Sequence, residues 1–144
     1  MTFSSDLAAF TAKVQARQQA VFVNTAVAVQ DSIKFGSIVT GAPGQPVDTG
    51  NLLGSWQMTF PQVDVAEIST NVEYAPAVEE NWVEPHQRGP YTRKDGAHVR
   101  EHGVKGHTFS ITLPYPGRGG PHSVALTRAG FDLLVNDVVR TTLG

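Results

Sequence analysis

An apolar residue returns every seven positions through the first quarter of the chain, and this spacing constrains the fold more than any other sequence feature. Phe10 and Phe22 widen the stripe, while charged and amide side chains fall largely outside it. Seven residues are close to two turns of an α-helix, so the repeat lies on one face. The pattern predicts a long amphipathic helix that buries this face, is capped by Ser4 or Ser5 and ends at Gly36. The repeat consists of Leu7, Val14, Val21, Ala28 and Phe35.

Two signals predict structure in the middle of the chain. Asp48 or Thr49 can cap a short helix over residues 51–55, because a side-chain oxygen there accepts a free backbone N–H. Alternating apolar residues then predict an antiparallel hairpin that turns at Pro61 and Gln62. Proline suits a turn because it has no N–H to give to a strand pair.

The remaining segments complete the predicted order of elements. A short helix begins near Ala75, residues 108–113 form a third strand, and residues 123–143 form a closing helix. Residues 84–107 hold four histidines and four glycines, which predicts a long and weakly structured loop. Strands segregated between flanking helices predict an α+β fold with three to four antiparallel strands, in a single domain over residues 1–144.

Charge is distributed unevenly along a chain that is nearly neutral as a whole. The formal net charge is −2, yet residues 1–84 carry three basic and nine acidic side chains, while residues 85–144 carry eight basic and four acidic ones. A general nucleic-acid binder is usually basic overall, and this chain is not. The absence of cysteine excludes disulfides, thiolate zinc sites and a cysteine nucleophile. No run of about 18 apolar residues occurs, so no membrane span is expected.

One triplet, Asp48-Thr49-Gly50, matches the sequence of aspartic proteases. In those enzymes two aspartates share a proton, so that one acts as acid and the other as base. A chain of this length would have to dimerise to supply the second aspartate, and no hydrophobic strand precedes the triplet. The alternative interpretation is a capped turn whose aspartate accepts backbone N–H groups. We favour the turn.

Residues 98–102 read His-Val-Arg-Glu-His and match the inverted zincin pattern. That chemistry requires His98 and His102 on one helical face, with Glu101 activating water. Glycines on both sides leave a helix of about one and a half turns, which is too short to be stable alone. A non-catalytic metal clip that adds His107 is one alternative, and a solvated polar loop without a metal is the other.

Two short signatures occur in order along the chain. Residues 42–56 read Ala-Pro-Gly-Gln-Pro-Val-Asp-Thr-Gly-Asn-Leu-Leu-Gly-Ser-Trp, and residues 74–81 read Tyr-Ala-Pro-Ala-Val-Glu-Glu-Asn. They resemble the signatures A-P-V-D-T-G-x-L-x-x-S and Y-A-x-x-V-E-x-G of a family of tailed-phage tail components, with Asn81 where that family has glycine. These are neck proteins called tail-completion or head–tail connector proteins. The matching residues are Asp48, Thr49, Gly50, Leu52, Ser55, Tyr74, Ala75 and Glu79.

The resemblance implies a structural protein of the virion neck, present in the host cytoplasm during assembly, that forms a ring of six copies without catalysis or a cofactor. The implied partners are other copies of the chain, a tail terminator or tail-tube protein, and a head-side connector or adaptor. DNA in the channel is a secondary partner, and no membrane is involved. The alternatives are a tail terminator or head-closure protein of the same neck, or a metal-binding hydrolase that uses the His-rich loop. We expect contacts with a neighbouring copy, an adjoining ring or the channel from Arg88, Arg93, Lys94, Arg100 and Lys105.

Overall fold

The computed structural model describes residues 2–47, 50–80, 82–83, 86–105, 107–108 and 122–144. The α+β class predicted from the sequence is confirmed, although the strands form separate two-stranded antiparallel pairs and not one sheet of three or four strands. The elements are α1 (Phe3–Phe35), α2 (Asn51–Ser55), β1 (Gln57–Gln62), β2 (Val65–Ser69), α3 (Ala75–Glu80), β3 (Trp82–Val83), β4 (His86–Arg88), β5 (Tyr91–Thr92), β6 (His98–Val99), β7 (His102–Val104), β8 (His107–Thr108), α4 (Ser123–Ala129) and α5 (Phe131–Leu143).

Helix α1 runs for 33 residues without a glycine or a proline, so no residue in it interrupts the backbone hydrogen bonds. At 1.5 Å per residue it is about 50 Å long. Its N-cap is Thr2, which forms a capping box with Ser5. The predicted cap at Ser4 or Ser5 is therefore wrong, because Thr2 already supplies the hydroxyl. The helix ends at Gly36 as predicted, with a φ of 88°.

The chain folds back onto the end of α1. Buried Gln45 donates its backbone N–H to the carbonyl of Lys34 (2.9 Å) and its side-chain amide to the carbonyl of Ile33 (3.3 Å). Carbonyls in the last turn of a helix have no partner within the helix, so Gln45 satisfies two of them. Gly44 permits this approach, since a Cβ on it would lie 2.5 Å from the carbonyl carbon of Phe35.

The core is small and lies largely between the second half of α1 and the helices α4 and α5. Ser32 Oγ lies 2.7 Å from Thr127 Oγ1 and 2.8 Å from Thr40 Oγ1, and all three are hydroxyls. Buried polar groups of this kind hold elements together when every member is paired. A hydroxyl network therefore joins α1 to α4. Among the described residues, the buried apolar side chains are Ala26, Ile33, Ala42, Leu52, Ala75, Leu134 and Val138.

The β1–β2 hairpin packs beside α1. It turns at Val63 and Asp64, two residues later than predicted. Pro61 lies inside β1 where the register shifts, so its missing N–H leaves no gap in a regular ladder. The rings of Phe60 and Phe22 meet edge to face, with centroids 6.1 Å apart, and this contact joins the hairpin to the helix.

Residues 82–108, called the arm below, form one long antiparallel hairpin in their described part. Its three strand pairs, β3–β8, β4–β7 and β5–β6, share a single register from base to tip, without an inserted residue. A tight turn over residues 93–97 closes the tip. At about 3.3 Å per residue, each side of the arm is on the order of 40 Å long.

The prediction of a weakly structured loop over residues 84–107 is therefore wrong. The strands escaped detection because they are short, mostly polar and interrupted by Gly89 and Pro90. Most side chains between residues 87 and 105 are exposed, so the arm packs chiefly against itself. The half-buried ones in that range are Tyr91, Val99 and Val104.

The predicted closing helix over residues 123–143 is two helices, because Gly130 ends α4 and precedes α5. A Cβ on Gly130 would lie 2.9 Å from Thr40 Cα, so the glycine allows the loop after α1 to reach the helix junction. The short helix predicted near Ala75 is confirmed as α3. Of the predicted third strand, residues 109–113 lie outside the described residues.

Candidate assembly surfaces

The two signature segments found in the sequence lie side by side in the fold. Ser55 Oγ lies 2.6 Å from Thr70 Oγ1 and donates to the carbonyl of Leu52 at 2.7 Å. Asn51 Nδ2 donates to the hydroxyl of Tyr74 at 3.4 Å. Helix α2 is thus braced against the segment that follows β2, and the Leu52 side chain of α2 is buried. These contacts are structural bracing between α2 and the second signature.

The start of α2 differs from the prediction. Its N-cap is Gly50, in the left-handed conformation with a φ of 78°, and no side chain caps it. The expected N-cap at Asp48 or Thr49 is wrong, because the left-handed turn at Gly50 sets the helix start after them. Asp48 and Thr49 themselves lie outside the described residues.

Glu79 links the second signature to the end of the chain. Its Oε1 accepts the backbone N–H of Ala125 at 2.9 Å, and its carbonyl accepts the N–H of His122 at 3.0 Å. Ala125 lies in the first turn of α4, where N–H groups lack partners within the helix and a negative charge is favourable. Glu79 therefore caps α4 from 46 residues away, and no short-range sequence signal could have revealed this.

A pocket of about 380 Å³ lies next to the signature segments, with Trp56, Ala75, Glu79 and Val124 among its lining residues. The indole Nε1 of Trp56 is buried and has no acceptor among the described residues. An unpaired buried donor costs about 1–3 kcal/mol.

The His-x-x-Glu-His segment is not helical. His98 lies in β6, with its Nδ1 2.9 Å from Thr92 Oγ1, and His102 lies in β7, where its Nδ1 donates to the carbonyl of Arg100 at 2.9 Å. The two histidines do not share a helical face, so the arrangement required by a zincin is not met. Across the described part of the chain, no three His, Asp or Glu residues come together as a metal site, and the side chain of His107 lies outside that part.

The arm presents the five basic residues that the sequence predicted as contacts, and all five are exposed. The range 86–105 contains these five basic residues and two acidic ones, so its net charge is +3. The guanidinium of Arg88 lies 4.3 Å from the ring centroid of Tyr91, and that ring lies 6.3 Å from the His102 ring. This cation–π contact orders the middle of the arm. The five residues are Arg88, Arg93, Lys94, Arg100 and Lys105.

The first half of α1 is a surface that sequence reasoning missed, because the helix was expected to bury its apolar face throughout. Residues 3–20 are all exposed. Four large apolar side chains on one face form what we call the seam, with exposed fractions of 83% for Phe3, 53% for Leu7, 65% for Phe10 and 38% for Val14. Their spacing of four, three and four residues is that of a coiled-coil seam.

The same face of α1 is covered only further along the helix. Val21 and Ala28 are half-buried and Ser32 is buried, over the stretch that packs against α4 and α5. Thr142 near the end of α5 bonds to Asn24 at 3.0 Å, so α5 ends there and leaves the earlier turns uncovered. The burial prediction is thus confirmed in part at Val21 and Ala28 and is wrong at Leu7, Val14 and Phe35, whose side chains are exposed.

The total surface is large for a chain of this mass. The chain exposes 10230 Å², whereas a compact monomer of 15.5 kDa exposes about 7,200 Å². The excess is about 3,000 Å², and the exposed first half of α1 and the exposed side chains of the arm contribute to it. A typical protein interface removes about 800 Å² from each partner, so the excess matches several interfaces for each copy.

Comparison of the chain with protein-family models, with curated proteins and with solved structures finds no match. Over the described ranges, no helix has the length and hydropathy needed to span a bilayer.

Proposed function

We propose that this chain is a structural protein of a tailed-phage neck, a ring-forming tail-completion or head–tail connector protein that acts by binding and not by catalysis. The observation that carries the proposal is the uncovered seam on a helix that extends beyond a small core. Large apolar side chains held in water cost free energy that a partner surface removes. The two signatures, in their order and spacing, favour a phage neck as the particular assembly.

A ring accounts for the unequal surfaces of the chain. Head-to-tail contacts between identical copies close into a ring when the rotation between neighbours returns to its start. Such contacts use two different surfaces of each copy, and this chain has an acidic first part and a basic second part. Opposite charges steer the copies together and set their orientation. Six copies are expected, with a tail terminator or tail tube on one side and a head-side connector or adaptor on the other.

The arm has the properties of a contact element in such a ring. It is about 40 Å long, largely exposed and basic. It can therefore reach a neighbouring copy, an adjoining ring or the channel without any rearrangement of the core. Protein is the favoured partner and DNA the secondary one, because the chain as a whole is slightly acidic.

Deletion of the arm tests the proposal in the virion. A phage that lacks this protein is supplied with a variant without residues 86–106. We expect the variant to be folded by circular dichroism, and electron microscopy to show heads and tails that are not joined. The matched control, Arg93→Lys with Arg100→Lys, keeps the arm and its charge and should restore infectious particles.

Each other outcome has its own meaning. Normal infectious particles from the deletion variant would contradict the role of the arm. Mature virions that assemble without the protein at all would contradict the neck assignment. Overgrown tail tubes in its absence would identify a tail terminator, and complete tails beside heads that lose their DNA would identify a head-closure protein.

A further inference from the structure

We infer that the seam of one copy docks into a groove of a second copy, between α1, β2 and the start of α5. The inference rests on the assembly role proposed above and names the surfaces that meet. The occupant of the groove is a second copy of this chain.

The groove is apolar and has a suitable size. It has a volume of about 350 Å³, and its main apolar lining residues are Phe22, Val29, Val65, Ile68 and Phe131. A cavity of about 150 Å³ holds a benzene ring, so this groove has room for two ring-sized side chains. Leu7 and Phe10 are neighbours on one helical face and form a pair of that size.

The groove cannot be filled by the seam of its own molecule. The seam occupies residues 3–14 of α1, and the α1 side of the groove is formed by residues 22–29 of the same helix. Because α1 is continuous and has no glycine or proline, bringing these stretches together would break the helix at a point with no hinge. The occupant has to come from another molecule.

Charges beside the two surfaces are complementary. Lys13 and Arg17 lie beside the end of the seam, one turn apart, and Asp6 lies beside its start. All three are exposed, so this border carries two positive charges and one negative charge. Asp64 lines the groove and Asp132 follows Phe131 in the first turn of α5, and both are exposed as well. In the described part of the chain the ion pair is between Arg140 and Asp137. Lys13, Arg17, Asp64 and Asp132 therefore form no ion pair within that part. A basic border meets an acidic border when the seam enters the groove.

The seam and the groove are separate surfaces of the same copy. The centre of the seam and the centre of the groove are about 17 residues apart on α1, which corresponds to about 25 Å. The two surfaces therefore do not overlap, and one copy can bind through its seam and through its groove at the same time. Two interfaces of standard size remove about 1,600 Å² from each copy, which lies within the excess surface of the chain.

Disulfide trapping tests the inference directly, because the chain has no cysteine of its own. Two variants, Phe10→Cys in the seam and Val65→Cys in the groove, are purified, mixed and oxidised mildly. Both positions are exposed enough for the substitution to leave the fold intact. We expect a cross-linked dimer that contains one molecule of each variant, since a disulfide needs Cβ atoms within about 4.5 Å. Each variant alone should give at least tenfold less dimer.

The control replaces Phe10→Cys by Ala12→Cys, at an exposed position outside the seam, and should give as little dimer as the single variants. Cross-linked dimers of Phe10→Cys alone would show that two seams meet, and would overturn the inference. No mixed dimer, or a wild-type protein that does not associate, would overturn it too. If the mixed dimer forms but mature virions assemble without the protein, the docking of seam into groove stands and only the proposed neck function is contradicted.

Discussion

Two parts of the molecule extend beyond the small core, and their chemistry is opposite. The first half of α1 is a helix that carries an apolar seam, whereas the arm is a β-hairpin with largely polar and basic exposed side chains. Water solvates the arm at no cost but penalises the seam. The difference indicates that the seam supplies the free energy of assembly, while the arm supplies orientation and reach.

The largest effect should come from charges placed in the seam. Leu7→Glu with Phe10→Glu removes two large apolar side chains from the interface, each worth about 1.5–3 kcal/mol when buried. We expect self-association, measured by analytical ultracentrifugation, to weaken by a factor of about 10² to 10⁴. The control, Ala12→Glu with Ala16→Glu, adds the same charges to the same helix outside the seam. Equal weakening by both pairs would show that charge alone, and not the seam, is responsible.

A change in the core should act on folding and not on association. Ser32→Ala leaves the hydroxyls of Thr40 and Thr127 without their shared partner, so the free energy of unfolding should fall by about 1–3 kcal/mol. Urea unfolding is best measured on the Leu7→Glu/Phe10→Glu background, where association does not contribute. The exposed substitution Thr11→Ala should cost less than about 0.5 kcal/mol. An unchanged urea midpoint for Ser32→Ala would show that the hydroxyl network does not stabilise the fold.

Charge reversal at the arm tip should have a smaller effect that depends on salt. Arg93→Glu with Lys94→Glu removes two exposed cations, and each exposed ion pair contributes about 0.2–1 kcal/mol. Association should weaken mostly at low ionic strength and recover as salt screens the charges. Arg93→Lys, which keeps the charge, should behave as wild type. A defect that stayed the same at all salt concentrations would mean that the tip acts by shape and not by charge.

The smallest effect should come from the middle of the arm. Tyr91→Ser removes the ring that packs on Arg88 and pairs with Val99, at a cost of about 0.2–1 kcal/mol that is confined to the arm. Amide hydrogen exchange should quicken in the arm and stay unchanged in α1 and α5. Gln87→Ser, on an exposed side chain, is the matched control. Faster exchange throughout the molecule would show that the arm is part of the cooperative core.

Local signals in the sequence predicted the elements that depend on local interactions. The seven-residue repeat and Gly36 predicted the extent of α1. Helix α2 spans the predicted residues although its N-cap is Gly50, and α3 begins at Ala75 as predicted. Gly130 was also a readable signal, because a glycine inside a helical pattern marks a candidate break. In each case the residues that decide the structure lie within a few positions of one another.

Long-range pairings could not be read from the sequence. The arm pairs residues up to 26 positions apart with little apolar alternation, and Glu79 caps a helix 46 residues away. The repeat in α1 predicted an apolar face, but it did not predict how much of that face other helices bury. The extent of burial depends on where α5 ends, beside Asn24. The seam is therefore visible in the sequence only as a pattern, and its exposure is a property of the fold.

Sedimentation equilibrium of the purified wild-type chain tests the central claim, that the uncovered seam makes this chain associate with copies of itself. The wild-type chain should sediment with masses at multiples of 15.5 kDa that grow with concentration. The Leu7→Glu/Phe10→Glu variant should stay at the mass of one chain. A wild-type protein that remained at 15.5 kDa up to about 1 mM, where an association of only 4.1 kcal/mol would already be substantial, would contradict the account.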